Sequence, residues 1–160
     1  MALVRILVDG DGLLRQWQEL APGKSRTSEV AREELVNHLT QYFDTSGTPL
    51  TTIFDGTHLD FPEDDVIPEV DGDEDVTLIY TQPGQTPVQM MHRLIRQFRA
   101  RGGVLVVTDG NLDRGDLEPY GGQLCRCSDF ITMVKTAHED MEREIERLNQ
   151  MENRKFTCQG

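Results

Sequence analysis

Four short runs of apolar, often β-branched residues constrain this 160-residue chain more than any other feature. Each run is nearly continuous in apolar character, which is typical of strands buried on both faces of a parallel sheet. Between the runs, apolar residues recur at helical spacing. Strands that alternate with helices predict an α/β fold with a mainly parallel sheet and right-handed crossovers. The predicted strands are residues 3–8, 50–54, 76–80 and 104–108, with a weaker fifth at 124–127.

Three helices are predicted between and after these strands. The first follows a Thr27 cap and runs to about residue 42. The second begins at Thr86, where the cap, a proline and a glutamine form a strong start signal, and it ends before a glycine pair. The third follows a Ser128 cap and runs to about residue 151. In the first helix, Val30, Leu35, Leu39, Tyr42 and Phe43 are predicted to face the core. In the second, apolar residues recur at helical spacing at Val88, Met91, Leu94, Ile95 and Phe98. In the third, the apolar stripe is Ile131, Val134, Met141, Ile145 and Leu148, with charges between.

Length and composition predict one soluble domain, residues 1–137, followed by an extension of the last helix and a tail at 138–160. This last helix is longer than a small sheet needs. Its distal part is expected either to pair with another subunit, giving a homo-oligomer, or to fold back. The N-terminus has no secretory pattern, and no apolar run approaches membrane length, so the expected location is the cytoplasm, with no membrane partner. Three cysteines and four scattered histidines give no zinc-site spacing.

Charge is distributed unevenly along the chain. The net charge of −12 argues against a broad nucleic-acid surface but allows a local basic strip. The acidic segment 60–75 is most simply a solvated loop, and the alternatives are a mimic of nucleic acid or a docking site for a basic protein partner. Arginines then cluster at Arg93, Arg96, Arg99 and Arg101. The first three lie on the second helix, where they are expected to contact a phosphate backbone, pair with the acidic segment or be solvated.

Carboxylates follow several of the predicted strands at the point where each strand ends. Asp9 and Asp11 follow the first, Asp55 the second and Asp109 the fourth, and a glycine comes directly after each of these four acids. In a parallel sheet these ends share one edge, where ligands bind. Clustered carboxylates repel each other, and a divalent cation offsets that cost. The pattern therefore indicates a Mg²⁺ or Mn²⁺ site held by Asp9, Asp55 and Asp109. The competing interpretation is a set of ordinary polar turns, because Asp-Gly is among the commonest turn dipeptides.

The stretch from Asp9 to Leu14 also looks like the first motif of haloacid-dehalogenase-type phosphatases, in which Asp9 would be the nucleophile and Asp11 the acid/base. That family also needs a later Ser or Thr, a lysine and an acidic pair, in that order. Thr81 fits the first requirement, but no lysine lies between Thr81 and the acids that begin at Asp109. A phosphatase is therefore the less favoured interpretation.

A third pattern covers about 130 residues and resembles the YacP-like NYN domain, a branch of the PIN-like nuclease superfamily. The matching pieces, in order, are ILVDG at 6–10 with Trp17 soon after, an Arg-x-x-Leu helix at 32–35, TTIFDG at 51–56, VTLIYT at 76–81, GQT at 84–86 with RLI at 93–95, VLVVT at 104–108 and SDFI at 128–131. The resemblance implies a PIN-like three-layer α/β/α sandwich. It also implies descent from a metal-dependent ribonuclease, a phosphodiester hydrolase of RNA metabolism.

This chain departs from the family pattern at three places. The family's first motif reads Asp-Gly-Tyr-Asn, and here Asp11 and Gly12 replace the last two residues. The family's second acidic motif is lost, since Val88 and Gln89 stand in its place. The third is displaced by one position, at Asp109, which re-aims the side chain. The acidic site is therefore expected to be eroded or rebuilt.

Two hypotheses follow for the function. The first is a Mg²⁺- or Mn²⁺-dependent RNA endonuclease with a rearranged site, and the second is a non-catalytic module that binds RNA or protein. The expected catalytic residues are Asp9, Asp11, Asp55 and Asp109, and the expected substrate-binding residues are Thr86, Arg93 and Arg96. The unresolved question is whether Asp11 replaces the carboxylates absent at positions 88 and 89.

Overall fold

The computed structural model describes residues 3–20, 23, 29–56, 75–82, 84–110 and 122–158. In these ranges strands alternate with helices, which confirms the predicted α/β class. The predictions made for Thr27 and for the acidic segment up to residue 74 lie outside the described residues. The elements are β1 Leu3–Asp9, α1 Gly10–Gln16, α2 Glu29–Ser46, β2 Leu50–Phe54, β3 Val76–Tyr80, α3 Pro87–Phe98, β4 Gly103–Val107, β5 Gly122–Cys125 and α4 Cys127–Cys158.

The five strands form one parallel sheet in the order β3-β2-β1-β4-β5. The first strand is central and pairs with β2 on one side and β4 on the other, with Ile6 opposite both Leu50 and Leu105. The chain thus builds the sheet outward from β1 in both directions. The strand order reverses beside β1, and in open parallel sheets the ligand crevice lies at this reversal, outside the carboxyl ends of the strands.

Helices cover both faces of the sheet. One face packs against α1, α2 and α4, with Leu13, Leu35 and Phe130 in a common core with Ile6 and Val8. The other face packs against α3, where Met91, Leu94 and Ile95 join Leu7 and Val106. Successive residues of β1 serve opposite faces, as strand geometry requires. These three layers confirm the predicted α/β/α sandwich.

The central strand also buries a cation that the sequence analysis did not single out. Arg5 is 1% exposed, its Nη1 donates to Thr51 Oγ1 at 3.0 Å, and its guanidinium lies over the Phe98 ring at 4.4 Å. A cation over an aromatic face is attracted by the ring quadrupole, which offsets part of the cost of burial. Arg5 therefore ties β1 to β2 and to the last turn of α3.

Several local predictions differ from the structure. The segment after β1 is the short helix α1 rather than a loop. Val30 was predicted to face the core but is 47% exposed, and Val88, which fits the apolar spacing of its helix, is 45% exposed. Ser128 lies inside α4, which begins one residue earlier at Cys127, directly after the end of β5 and Arg126.

Helix α4 is the longest element, at 32 residues. Its first turns are buried at Phe130, Ile131 and Val134, whereas every residue from Glu142 to Arg154 is exposed. Among the residues that the structure describes, no helix is both long and apolar enough to span a bilayer.

Candidate functional site

The carboxyl edge of the sheet carries Asp9, Asp11 and Asp55 in one connected group. Asp9 is the last residue of β1 and the N-cap of α1: its Oδ1 accepts from Gly12 N–H at 3.2 Å. Its Oδ2 accepts from Thr108 Oγ1 at 3.2 Å, across the junction between β1 and β4. Both oxygens of this carboxylate are therefore oriented by the fold.

The two glycines beside Asp9 are dictated by close packing. A Cβ at Gly10 would lie 2.4 Å from the Phe54 ring, and a Cβ at Gly12 would lie 2.6 Å from Asp9 Oδ2. Real Cβ atoms do not approach other atoms so closely, so a side chain at either position would force its neighbours to move. Glycine at position 12, a departure from the family pattern, thus makes room for the Asp9 carboxylate.

Asp11 lies in the first turn of α1, beside the loop that follows β2. Its Oδ2 accepts from Asp55 N–H at 2.7 Å. Burial raises the pKa of Asp11 above its ordinary value of 3.8, and the nearby charges of Asp9 and Asp55 raise it further, while the Asp55 N–H and Arg15 oppose the shift. Asp11 is thus a half-buried carboxylate in the field of two others.

Asp55 is oriented by β3, the next strand of the sheet. Thr81 Oγ1 lies 3.5 Å from Asp55 Oδ1 and accepts from Gly56 N–H at 3.2 Å. A Cβ at Gly56 would lie 2.3 Å from the Thr81 carbonyl oxygen, which explains the glycine in this Asp-Gly pair. Thr81 therefore joins the loops that follow β2 and β3.

Asp109 is placed differently from the other three acids. Its Oδ1 accepts from Cys127 N–H at 3.0 Å, so this carboxylate caps the first turn of α4. The preceding Thr108 donates to Asp9, and its Oγ1 accepts from Gly110 N–H at 3.0 Å. Burial raises the pKa of the Cys127 thiol to about 12, and the charges of Asp109 and Asp9 contribute. The Cys127 thiol therefore lies in the electrostatic field of both carboxylates.

The start of α3 carries a closed cap in place of acidic residues. Thr86 Oγ1 accepts from Gln89 N–H at 3.2 Å, and Gln89 Oε1 accepts from Thr86 N–H at 3.1 Å, which is a complete capping box. The first turn of α3 has no acidic residue, as the sequence indicated. Arg93 and Arg96 are exposed on the same helix, further from the carboxyl edge.

The structure places the four predicted catalytic acids on one edge but in two environments. Asp9, Asp11 and Asp55 interact with one another, whereas Asp109 interacts with α4. Within the described ranges, no three His, Cys, Asp or Glu side chains are grouped so that they could hold a metal ion by themselves. Mg²⁺, however, is commonly bound by one or two carboxylates together with water and substrate phosphates. The donor set fits such an ion better than a cage made of protein ligands alone.

Sequence reasoning did not assign site roles to Thr108 and Cys127. Thr108 orients Asp9 through its hydroxyl, and Cys127 supplies the backbone N–H that engages Asp109. Only the positions of these residues could have indicated them, because Thr108 directly follows a strand and Cys127 begins a helix at the carboxyl edge. The direction of each hydrogen bond depends on the relative placement of β1, β4 and α4, which the sequence alone does not specify.

Comparison with known proteins gives a consistent result. The sequence profile of the YacP-like NYN domain matches residues 6–158. Two solved structures of Rae1 (YacP) from Bacillus subtilis have the same fold. The W164L mutant gives a TM-score of 0.72 at 19% identity, covering 91% of this chain and 82% of that one. The other gives 0.71 at 20% identity, covering 95% and 84%. No functionally curated protein matches.

Proposed function

This chain belongs to the YacP-like NYN domain family, a family of nuclease-type PIN-like domains, and we propose that it is a metal-dependent RNA endonuclease acting at the carboxyl edge of its sheet. The observation that carries the proposal is Asp11. A half-buried carboxylate with two neighbouring carboxylates is unfavourable for folding on its own. Such an arrangement is typical of a site that works with a cation.

The chain's own groups have definable roles in this proposal. Asp9 and Asp55 would hold Mg²⁺ or Mn²⁺ together with the RNA phosphate, and Asp109 would join them only by leaving the α4 cap. A bound divalent cation neutralises the carboxylates and polarises the phosphodiester. Thr108 and Gly12 keep Asp9 oriented, and Thr81 does the same for Asp55.

Asp11 is the residue we propose as general base. Its Oδ2 is engaged by Asp55 N–H, whereas its Oδ1 has no hydrogen bond within the described part of the chain. Proton transfer is most efficient when the pKa of the base lies near the working pH, and the pKa of Asp11 is raised in that direction. Asp11 Oδ1 would accept the proton of the attacking water.

A basic strip on α3 and the turn that follows it is the proposed contact for the RNA backbone. Between Asp75 and Asp109 the chain has no acidic residue and four arginines, in a protein of net charge −12. Arg93, Arg96, Arg99 and Arg101 are all exposed. Phosphate neutralisation by such a strip predicts salt-dependent binding of single-stranded RNA. Substrate contacts by Thr86, Arg93 and Arg96 are part of this proposal.

Calorimetric titration with Mn²⁺ tests the metal site directly. Binding in the micromolar range that Asp9→Asn abolishes would support the proposal. The matched control is Asp44→Asn, because this exposed acid lies in the last turns of α2, at the opposite edge of the sheet. An absence of heat up to millimolar Mn²⁺ would contradict it.

RNA cleavage with and without EDTA tests the activity. Asp11→Asn is expected to lower the cleavage rate by about 10²-fold or more while metal binding persists, since general-base catalysis contributes about 10²–10⁴-fold. Asp109→Asn keeps an acceptor for Cys127 N–H and removes only the charge. It therefore shows whether Asp109 is a ligand or only a cap. Including a generic phosphomonoester in the assay tests the phosphatase alternative.

A second candidate function is a non-catalytic module that binds RNA or protein. The closed capping box at Thr86 and the engagement of Asp109 with α4 favour it, because the first replaces acids of the family pattern and the second holds the displaced acid on α4. RNA binding in EDTA without cleavage at any metal concentration would favour this second function. Binding of a basic protein to the acidic segment 60–75 belongs to the same alternative.

A further inference from the structure

The distal half of α4 is exposed, and one side of it carries a stripe of apolar residues. Ile145, Leu148 and Met151 are 51%, 50% and 48% exposed. Their spacing of three residues places them along one side of the helix. Scattered apolar residues on a surface are ordinary, but these three form a continuous stripe, and contiguous exposed apolar surface is typical of an interaction site.

This stripe continues the face that α4 buries within its own domain. Phe130 and Val134 are buried against the sheet and its helices, and Met141 lies against Thr45 near the end of α2, with Thr45 Oγ1 3.8 Å from its sulfur. At four- and three-residue steps the same face then reaches Ile145 and Leu148. Helix α2 ends at Ser46, so α4 runs past it by about 25 Å, at 1.5 Å per residue over Glu142 to Cys158.

The charges along this projection are arranged unequally. Residues 139–146 contain five acids and one arginine, whereas residues 147–154 contain two arginines and one acid. Several of these charges pair within the helix, as Arg143 does with Glu139 and Asp140 and Arg147 with Glu144. Two copies laid side by side in parallel would place the acid-rich parts together, and an antiparallel arrangement would place each acid-rich part beside the arginine-bearing part of the other copy.

We propose that the distal half of α4 is a self-association surface, on which a second copy of this chain packs antiparallel through Ile145, Leu148 and Met151. The seam centres between Ile145 and Leu148, which would face each other across the two-fold axis. Such an interface is isologous, so the same stripe serves both copies and the assembly closes as a dimer. It lies far along α4 from the carboxyl edge and is independent of the nuclease proposal.

Sedimentation equilibrium of the full chain from about 1 to 500 µM tests the surface. A monomer–dimer equilibrium is expected, and the double variant Ile145→Glu/Leu148→Glu should raise the dissociation constant at least about tenfold. The matched control is Met133→Glu, which alters a 41%-exposed apolar residue of the same helix away from the stripe and should leave the constant unchanged. A chain that stays monomeric to 500 µM, or a double variant that dimerises normally, overturns the proposal.

The orientation is tested by removing acids. In the antiparallel arrangement Glu139→Gln/Glu146→Gln removes attraction and weakens the dimer, while in a parallel one it removes repulsion and strengthens the dimer. Weakening that disappears at high salt supports the proposal. Strengthening overturns the antiparallel arrangement. Far-UV circular dichroism on each variant confirms that α4 remains helical.

Discussion

At the scale of single residues, Asp11 has the clearest consequence for stability. Its folded-state pKa is raised, mainly by burial, so folding favours the protonated form. The contribution of Asp11 to the free energy of unfolding is thus fully present below its unfolded pKa of 3.8, and it is lost as the pH rises through its folded pKa. We expect Asp11→Asn, which keeps an acceptor for Asp55 N–H, to raise the melting temperature at pH 7.

The melting temperatures of Asp11→Asn and of the parent chain are measured in EDTA, and the difference between them is taken at each pH. That difference should shrink as the pH falls toward 3.8 and vanish below it. Asp44→Asn, on the exposed surface of α2, serves as the control for the same substitution outside the carboxylate group. A variant less stable than the parent at pH 7 would contradict the expected sign.

The two described cysteine side chains should differ in reactivity. Cys127 is fully buried and its thiol pKa is raised to about 12, so it holds very little thiolate near neutral pH. Cys125 is partly exposed, although burial raises its pKa as well. Peptide mapping after iodoacetamide treatment at pH 8 should show Cys125 labelled well before Cys127. Labelling of both at equal rates in the native protein, rather than only after denaturation, would show that α4 opens at its start.

The sequence predicted part of the site at this scale. Asp9 and Asp55 were expected at one edge because parallel strands end together, and the structure places them there. The placement of Asp11 between them and the capping of α4 by Asp109 were not predictable. Both depend on which neighbouring N–H each carboxylate reaches, and that is set by the packing of separate elements rather than by local sequence.

At the scale of elements, the start of α3 allows a test that separates stability from substrate contact. Thr86→Ala should lower the free energy of unfolding by about 1 kcal/mol, since it removes half of the capping box. Thr86→Asp should keep most of that stability, because aspartate is also a good N-cap.

If Thr86 also contacts the RNA backbone, as proposed, the aspartate variant should bind single-stranded RNA more weakly because its charge repels phosphate. Chemical denaturation and fluorescence anisotropy measure the two properties. Equal RNA affinity in Thr86→Asp and the parent chain would remove Thr86 from the substrate contact. Thr86→Ser, which keeps the cap without adding charge, is the control.

The elements differ in how well the sequence predicted them. Strands β2 and β3 were predicted with the correct bounds because strands covered on both faces are apolar along their whole length. Helix α1 was missed because Asp-Gly repeats are as typical of turns as of helix starts, and only the contacts of Asp9 distinguish the two. Val30 and Val88 fit a helical period but lie in the first turns of their helices, outside the packed face.

At the scale of the whole molecule, the exposure of α4 predicts which part of the chain the fold needs. Every residue from Glu142 to Arg154 is exposed, so a chain ending at Arg143 should bury almost the same core. We expect its melting temperature, measured at about 1 µM, to fall by no more than about 2 °C, in line with surface changes of up to about 0.5 kcal/mol.

The same truncation should remove the concentration dependence of sedimentation. A much larger loss of stability at low concentration would mean that the distal helix packs on its own domain. The end of the domain at residue 137 is a prediction from the sequence, and such a result would move it further along α4.

The central position of β1 has a consequence for synthesis on the ribosome. Its partner β2 follows within about fifty residues, but β4, on its other side, is completed only at Val107. While the chain grows, one edge of the central strand therefore stays open, and long-range parallel pairing is slow to form. The hydroxyl of Thr108 reaches Asp9 only after β4 has paired with β1. The carboxylates at the carboxyl edge are therefore assembled late in synthesis, when about two-thirds of the chain has been made.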